Sequence, residues 1–494
     1  MKKISEHRRG FSTIELLFAF AIATIFLSGI FVLAFGGQTA ALDSSLENGG
    51  LYRITTLLRD AVASTTKNWN VTLTTWPTNF YAQGTTMTTI SPCLKYINAT
   101  TTWKTEKNRG QNLSLGTFVS STSTAKAMGG GCDPFPPSDA WDSPKKAASG
   151  ISIASVNPTD VAVVPVNGKR IAILSSTASA PAKDDIFEVD VTDPQNPILL
   201  QSLNTGKGIN AIAVGGSYAY AVQNDSTNQL QVIRLFDTTK LTTDPLYYKP
   251  ALVTQTSLQN VAGAFPEGRS MYYYNNKLYI GTWNNNVPAN SPEFLIYDVT
   301  VPSAPTFVGS NNLNTSVNDI TVSGNYAYIA TTQGANEFIV IDVSNPSAPT
   351  LAGSYDVPGS SIDAERVTVL GNYAYLGLDR ATGNNKDFYV ININTPTAPT
   401  LAGSLKLNMN NAGSMVTGIA VVSGLAFVGT TDTNAEFRVL NVSDPTNPKP
   451  NGCGPYNYSA KISALVYSNG SIITANQANI ALTAIYDTSG ASCN

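Results

Sequence analysis

Histidine and cysteine, the side chains that most often do acid–base and zinc chemistry near neutral pH, are scarce in this chain. Its 494 residues include one histidine, His7, and four cysteines. Candidate chemistry therefore falls to carboxylates. Asp432-Thr433-Asn434-Ala435-Glu436 and the stretch from Asp379 to Asp387, with Gly383, have the composition of calcium loops. Neither carries the full alternation of ligands closed by a bidentate Glu at the twelfth position, so solvated turn tips are expected and no metal. Asp184-Asp185, Asp363 with Glu365, and Arg269 or Arg366 are material for a carboxylate pair or an anion site, or else ordinary surface charge. Trp283 stands in an Asn-rich insertion, GTWNNNVPANSPE, where an aromatic ring and amides suit stacking on a sugar and hydrogen bonding to it. The plainer reading of that insertion is an elongated loop with a half-buried indole. No catalytic residue and no cofactor are expected, and the chain reads as a non-enzyme.

Composition bounds the scaffold that must hold these residues. Charged residues make up 13% of the chain, about half the ~25% of an ordinary soluble domain, so Thr, Ser and Asn must supply the polar surface. That surface suits an extracellular protein. With 30 basic and 33 acidic residues the net charge is -3, and no basic patch exists to hold nucleic acid.

The amino terminus is the exception. Lys2, Lys3, Arg8 and Arg9 against Glu6 give residues 1–10 a local charge of +3, and 19 of the 25 residues from Phe11 to Phe35 are apolar. Such a run is long enough to cross ~30 Å of hydrocarbon as a helix. The next Lys or Arg is Arg53, so the positive-inside rule keeps residues 1–10 cytoplasmic and sends the rest outward. A secretory signal peptide or a plain anchor leaves Glu15 unexplained, because an unpaired carboxylate inside the apolar run costs a few kcal/mol. The segment Gly10-Phe11-Ser12-Thr13-Ile14-Glu15-Leu16 resembles the type IV prepilin signal, in which Gly is followed by Phe and by Glu at the fifth mature position. That resemblance implies cleavage after Gly10 by a prepilin peptidase, N-methylation of Phe11, and residence in the inner membrane before assembly with other pilin subunits. It also implies a role for Glu15 in filament assembly, neutralising a neighbouring subunit's amino terminus. Gly36-Gly37 and Gly49-Gly50 would interrupt the long helix of 11–67, each Gly costing ~1 kcal/mol against Ala.

Beyond the apolar run, residues 51, 54, 57, 58, 61 and 62 are apolar at helical spacing, which predicts an amphipathic stem. Residues 68–132 are rich in Thr and Asn, and short alternating pieces predict a small antiparallel sheet. Cys93 and Cys132 bracket most of it and are expected to form a disulfide, worth about 4 kcal/mol for a ~40-residue loop. Four prolines in 133–149 predict a stiff linker and a domain boundary.

From residue 150 onward the chain repeats itself. Seven hairpins with Gly or Asn turns, such as SGNYAYIAT (323–331) and LGNYAYLGL (370–378), alternate with strands ending at Asp190, Asp237, Asp298, Asp342, Asn392, Asn441 and Asp487. After several of these comes a turn such as DVSNPSAP, in which Pro stops the strand and Asp, Asn or Ser bonds the turn's own backbone. Four strands per ~48-residue unit is the arithmetic of a propeller blade. The segment FIVIDVSNPSAPTLAGS (338–354) resembles the LVIVD-repeat β-propeller family. The seventh unit ends after its third strand, so Ile151–Val156 (ISIASV) is expected to donate its fourth. Cys453 and Cys493 are expected to form a second disulfide pinning that unit.

The expected fold class is thus a transmembrane pilin-like helix with a small α+β stem, carrying an all-β seven-bladed propeller over 150–494. The expected function is a minor pilin-like subunit whose head binds a surface ligand, glycan or protein. Two alternatives stand beside it: a pseudopilin of a secretion or DNA-uptake system, and a surface enzyme with a propeller pocket. The enzyme requires carboxylates or a Ser/Lys group to converge at the ring's axial mouth, and only Thr and Asn there would remove it.

Overall fold

A computed structural model describes residues 51–65, 76–77, 81–91, 94–104, 110–120, 141–153, 156–178, 183–223, 227–241, 244–259, 267–283, 291–332, 336–358, 362–379, 385–410, 413–452, 454–477 and 480–487. The chain divides into two compact units, Met1–Ser121 and Thr122–Asn494. Among the described residues no helix is long and apolar enough to cross a membrane. Gly10, Phe11 and Glu15 lie outside the described residues, as do Gly383 and all four cysteines, Cys93, Cys132, Cys453 and Cys493.

In the first unit a helix over 51–65 packs Leu58, Ala61 and Val62 onto Ile97, Met87 and Val119 of an antiparallel sheet. That sheet joins Trp76–Pro77, Tyr81–Ser91, Leu94–Lys104 and Gly110–Ser120 in sequence order. Thr65 Oγ1 is buried and donates to the Ala61 carbonyl one turn back at 2.8 Å.

The second unit is seven four-stranded antiparallel sheets in succession. Their first strands are Val156–Val166, Ile209–Gly215, Gly268–Tyr274, Val317–Ser323, Ala364–Leu370, Val416–Val422 and Ile462–Ser468, and here the sheets are numbered 1 to 7 in that order. Each first strand neighbours the first strand of the next sheet, and the seventh returns to the first. A closed ring of this kind is consistent with a propeller and leaves no sheet edge at a seam.

Local sequence builds each sheet. The first hairpin turns at Asn167-Gly168, Asn275-Asn276, Ser423-Gly424 and Asn469-Gly470 have positive φ at both central residues, the geometry whose twist matches paired strands. Asp190, Asp298, Asp342, Asn392 and Asn441 end the third strands, and each accepts a bond from the backbone N–H two residues on. Apolar residues on both sheet faces meet those of the next sheet in seven clusters, one at each junction of the ring. Tyr272 and Tyr274 pack toward sheet 4 and Tyr273 toward sheet 2, the alternation that strand geometry requires.

The closing strand differs from the expectation. Sheet 7 takes Pro144–Ser152 as its fourth strand beside Ile480–Asp487, whereas Val156 opens the first strand of sheet 1. Residues 141–149 of the expected linker therefore belong to the ring, and 133–140 lie outside the described residues. Trp141 is 1% exposed against Phe427, with ring centroids 4.6 Å apart. Asp487 accepts bonds from the backbone N–H groups of Trp141 and Ser143 at 3.0 and 3.2 Å. Proline content suggested a spacer here, but a strand edge needing a partner and an indole filling the junction between sheets 6 and 7 outweigh it.

Candidate functional site

Each first strand carries a β-bulge near its start. The unpaired residue of that bulge is Thr159, Asn210, Arg269, Asn318, Glu365, Thr417 or Ser463 in sheets 1 to 7. An extra residue in a strand re-aims its side chain, and here all seven line one cavity of about 490 Å³. The ring thus gathers one residue from every sheet at a single mouth.

Four of the seven share a structural task. Thr159 Oγ1, Asn210 Nδ2, Asn318 Nδ2 and Thr417 Oγ1 donate to the carbonyls of Ile209, Gly268, Ala364 and Ile462, each the first residue of the next sheet's first strand. These bonds stitch neighbouring sheets together around the axis. Arg269 and Glu365 make no such bond among the described residues. They face each other instead, with the Arg269 guanidinium 3.9 Å from the Glu365 carboxylate.

The position after the bulge forms a second layer. Asp160 and Asp319 there are half-buried; each accepts a bond from the next residue's N–H and another from the neighbouring first strand, Ile212 at 3.0 Å and Val367 at 2.9 Å. Burial pushes both carboxyls up, Asp319 to about 6, while the positive charge of Arg366 in the same layer pulls them down. The Arg366 guanidinium is itself held by the carbonyls of Thr417 and Glu365 at 2.8 and 2.7 Å.

Glu365 belongs to a carboxylate cluster with Asp363 and Asp379, whose oxygens lie within 4.8 Å of one another. Asp363 immediately precedes the first strand of sheet 5 and Asp379 immediately follows its second, Tyr373–Leu378, and the Asp379 N–H donates to the Asp363 carbonyl at 3.1 Å. Burial raises all three carboxyls, and Asp379 reaches about 7 because Glu365 and Asp363 add their charge to its burial. Arg269 opposes the rise in each. Burial also pulls the Arg269 guanidinium down, and Glu365 holds it back up. At the rim, Trp283 is 38% exposed and its ring lies 4.4 Å from the Arg269 guanidinium.

The candidate residues of the sequence thus separate. Arg269, Arg366, Asp363, Glu365 and Trp283 meet at or beside the cavity, and Asp379 joins them from one of the two acidic stretches considered as calcium loops. The remaining acids are structural. Asp185, Glu293, Glu337, Asp387 and Glu436, each at the entry to a third strand, accept backbone N–H bonds from the segment that follows the fourth. Asp432 accepts the Asn410 N–H and pairs with Arg438 at 3.1 Å, both side chains buried. Asp184 accepts the Ser202 hydroxyl. Sequence reasoning missed Asn318, Asp160, Asp319 and the cavity role of Asp379. A signal did exist: in six of the seven sheets the bulged residue stands five positions before the last paired residue of its hairpin.

Residues 315–357 and 362–406, which hold all four strands of sheets 4 and 5, match the LVIVD repeat family. No curated protein matches the chain. Among solved structures, the chain is similar to a putative 6-phosphogluconolactonase from Bacteroides fragilis, with 11% identity over 63% of this chain and 89% of that one and a TM-score of 0.46. It is also similar to a catalytically inactive virginiamycin B lyase from Staphylococcus aureus solved with quinupristin, with 11% identity over 70% and 99% of the two chains and a TM-score of 0.47.

Proposed function

We propose that this protein is a minor pilin-like subunit of a type IV pilus or related filament, and that its seven-bladed propeller head binds an extracellular ligand for adhesion. The observation that carries the binding half is the convergence of one residue per sheet on a 490 Å³ cavity, with Arg269 stacked on the rim residue Trp283. Cavities of a few hundred Å³ with a few convergent polar groups are the usual form of a ligand site. An indole beside a guanidinium and carboxylates fits a sugar, whose ring face stacks while its hydroxyls bond the charges. The filament half is supported by the order of the basic leader, Gly10, Phe11 and Glu15. The subunit then begins in the cytoplasmic membrane with its carboxyl terminus outside, is cut by prepilin peptidase, and joins other pilins through its amino-terminal helix.

Two measurements test the two halves. Mass spectrometry of the mature chain should find an amino terminus at N-methyl Phe11, and any other start refutes processing. A glycan array probed with the detergent-solubilised full chain should show capture that falls about tenfold or more in Trp283→Ala, and capture unchanged by that substitution refutes the cavity. Gene deletion that spares attachment and abolishes secretion would instead favour a pseudopilin. A surface enzyme is a second reading, favoured by the gathering of Asp363, Glu365 and Asp379 where Thr and Asn alone would have argued against it. Turnover of a captured glycan that is lost in Glu365→Gln would carry that reading.

A further inference from the structure

We propose that Asp363, Glu365 and Asp379 form a divalent-cation site of calcium type at the ring's cavity. Two oxygens bound to one Ca2+ at ~2.4 Å can stand no more than ~4.8 Å apart. The three carboxylates meet that limit pairwise as they stand. All three are hard oxygen donors, which suits Ca2+ and not the softer metals that take nitrogen and sulfur.

Burial supplies the second observation. Glu365 is 7% exposed and Asn318 is 2% exposed, and both line the cavity. Asn318 Nδ2 donates at 2.7 Å to the carbonyl of Ala364, the residue between Asp363 and Glu365, which fixes its amide beside the cluster. Its Oδ1 is sealed from solvent and has no hydrogen-bond partner, and neither does Asp379 Oδ1. Buried acceptors left without a donor cost free energy, and a cation satisfies several at once.

Charge at the cluster points the same way: Asp363, Glu365 and Asp379 stand together, with Arg269 acting on all three and Arg366 on Glu365 alone. Arg269 is no substitute for the ion: at 3.9 Å from Glu365 it is beyond hydrogen-bond reach, and it offsets one of the three cluster charges. Calcium takes roughly 6–8 oxygens, so three protein carboxylates leave positions open toward the cavity. Those positions are where an oxygen-rich ligand would bind. The inference deepens the ligand-binding reading by resting on the same cavity, and it is independent of the filament assignment.

The test uses the full chain in detergent, stripped with a chelator. Titration calorimetry should find Ca2+ binding that weakens about tenfold or more in Asp363→Asn and in Asp379→Asn, and retains its strength in Asp184→Asn. Tb3+ placed in the same site should emit on indole excitation, and that emission should fall in Trp283→Phe, a readout that holds even where a carboxylate variant fails to fold. Absence of Ca2+ binding at millimolar concentration, affinity unchanged in both cluster variants, or emission unchanged in Trp283→Phe would overturn the inference. Ca2+ bound at the cluster with no glycan captured would support it while removing the adhesive reading.

Discussion

Glu188 offers the sharpest test of the packing between sheets. It is the third residue of Ile186–Asp190, where sheets 2 to 6 place Val232, Ile296, Val340, Val390 and Val439. Its side chain is 0% exposed, and both carboxylate oxygens lie buried without a hydrogen-bond partner. Burial alone pushes its carboxyl up to about 9. The folded protein therefore holds a proton that the unfolded chain releases at its ordinary value of 4.5. Stability from this group is complete below pH 4.5 and is lost as the pH rises through 9. Each pH unit in that window is worth about 1.4 kcal/mol, so the fall from pH 7 to pH 9 amounts to about 2 kcal/mol. Glu188→Gln keeps the shape and cannot ionise. Urea unfolding of the two chains at pH 7 and pH 9 should show the stability of the Glu chain falling relative to the Gln variant by about 2 kcal/mol between the two pH values, with the Gln variant's own stability free of this slope. Parallel pH profiles would refute the argument, since they would mean that the carboxylate finds solvent or a donor within the fold.

Two further expectations concern the ring's closure and the fit between sheets. Trp141→Ala should cost about 3–5 kcal/mol in urea unfolding, because it empties a buried site between sheets 6 and 7; a loss under about 1 kcal/mol would mean that the expected linker carries no core residue. Gly353→Ala should cost about 1–3 kcal/mol, because its new Cβ would stand 2.6 Å from the Pro396 carbonyl oxygen, a backbone atom of the next sheet's turn that cannot swing away. Gly110→Ala, where nothing lies within 4 Å, is the matched control, and equal melting points for the two would overturn the packing argument.

The repeat was legible because each of its parts is local. Turn glycines, strand-ending Asp and the Pro-bearing turn act within a few residues, so seven hairpins and their order could be read from the chain. The closing strand was not legible to the residue. Ile151–Val156 and Pro144–Ser152 overlap, and which of them pairs with Ile480–Asp487 is settled by contacts more than 300 positions away, such as Trp141 with Asp487. Acidic residues were the harder case. Asp185, Asp387 and Glu436 look in sequence like Asp363 and Asp379, and only the loop that returns past each third strand separates a backbone staple from a cavity carboxylate.

That separation also explains why Arg269 and Glu365 matter more than their charge alone would suggest. In a ring of repeats, a position that does the same structural work in every unit tends to keep a residue able to do it. The bulge position binds the next sheet's carbonyl, and Thr, Asn, Asn and Thr do so in sheets 1, 2, 4 and 6. A guanidinium and a carboxylate in sheets 3 and 5 give up that bond and bring desolvated charge to the mouth, which local packing does not reward. Local rules broken without a compensating contact are expected where a site is made for something else. The two charged departures lie two sheets apart, with Asn318 of the intervening sheet holding the carbonyl beside Glu365. Ser463 of sheet 7 also lacks the bond, its hydroxyl buried without a partner, but it brings no charge; the charged departures fall on one arc, and that arc is where Asp363, Asp379 and Trp283 also gather.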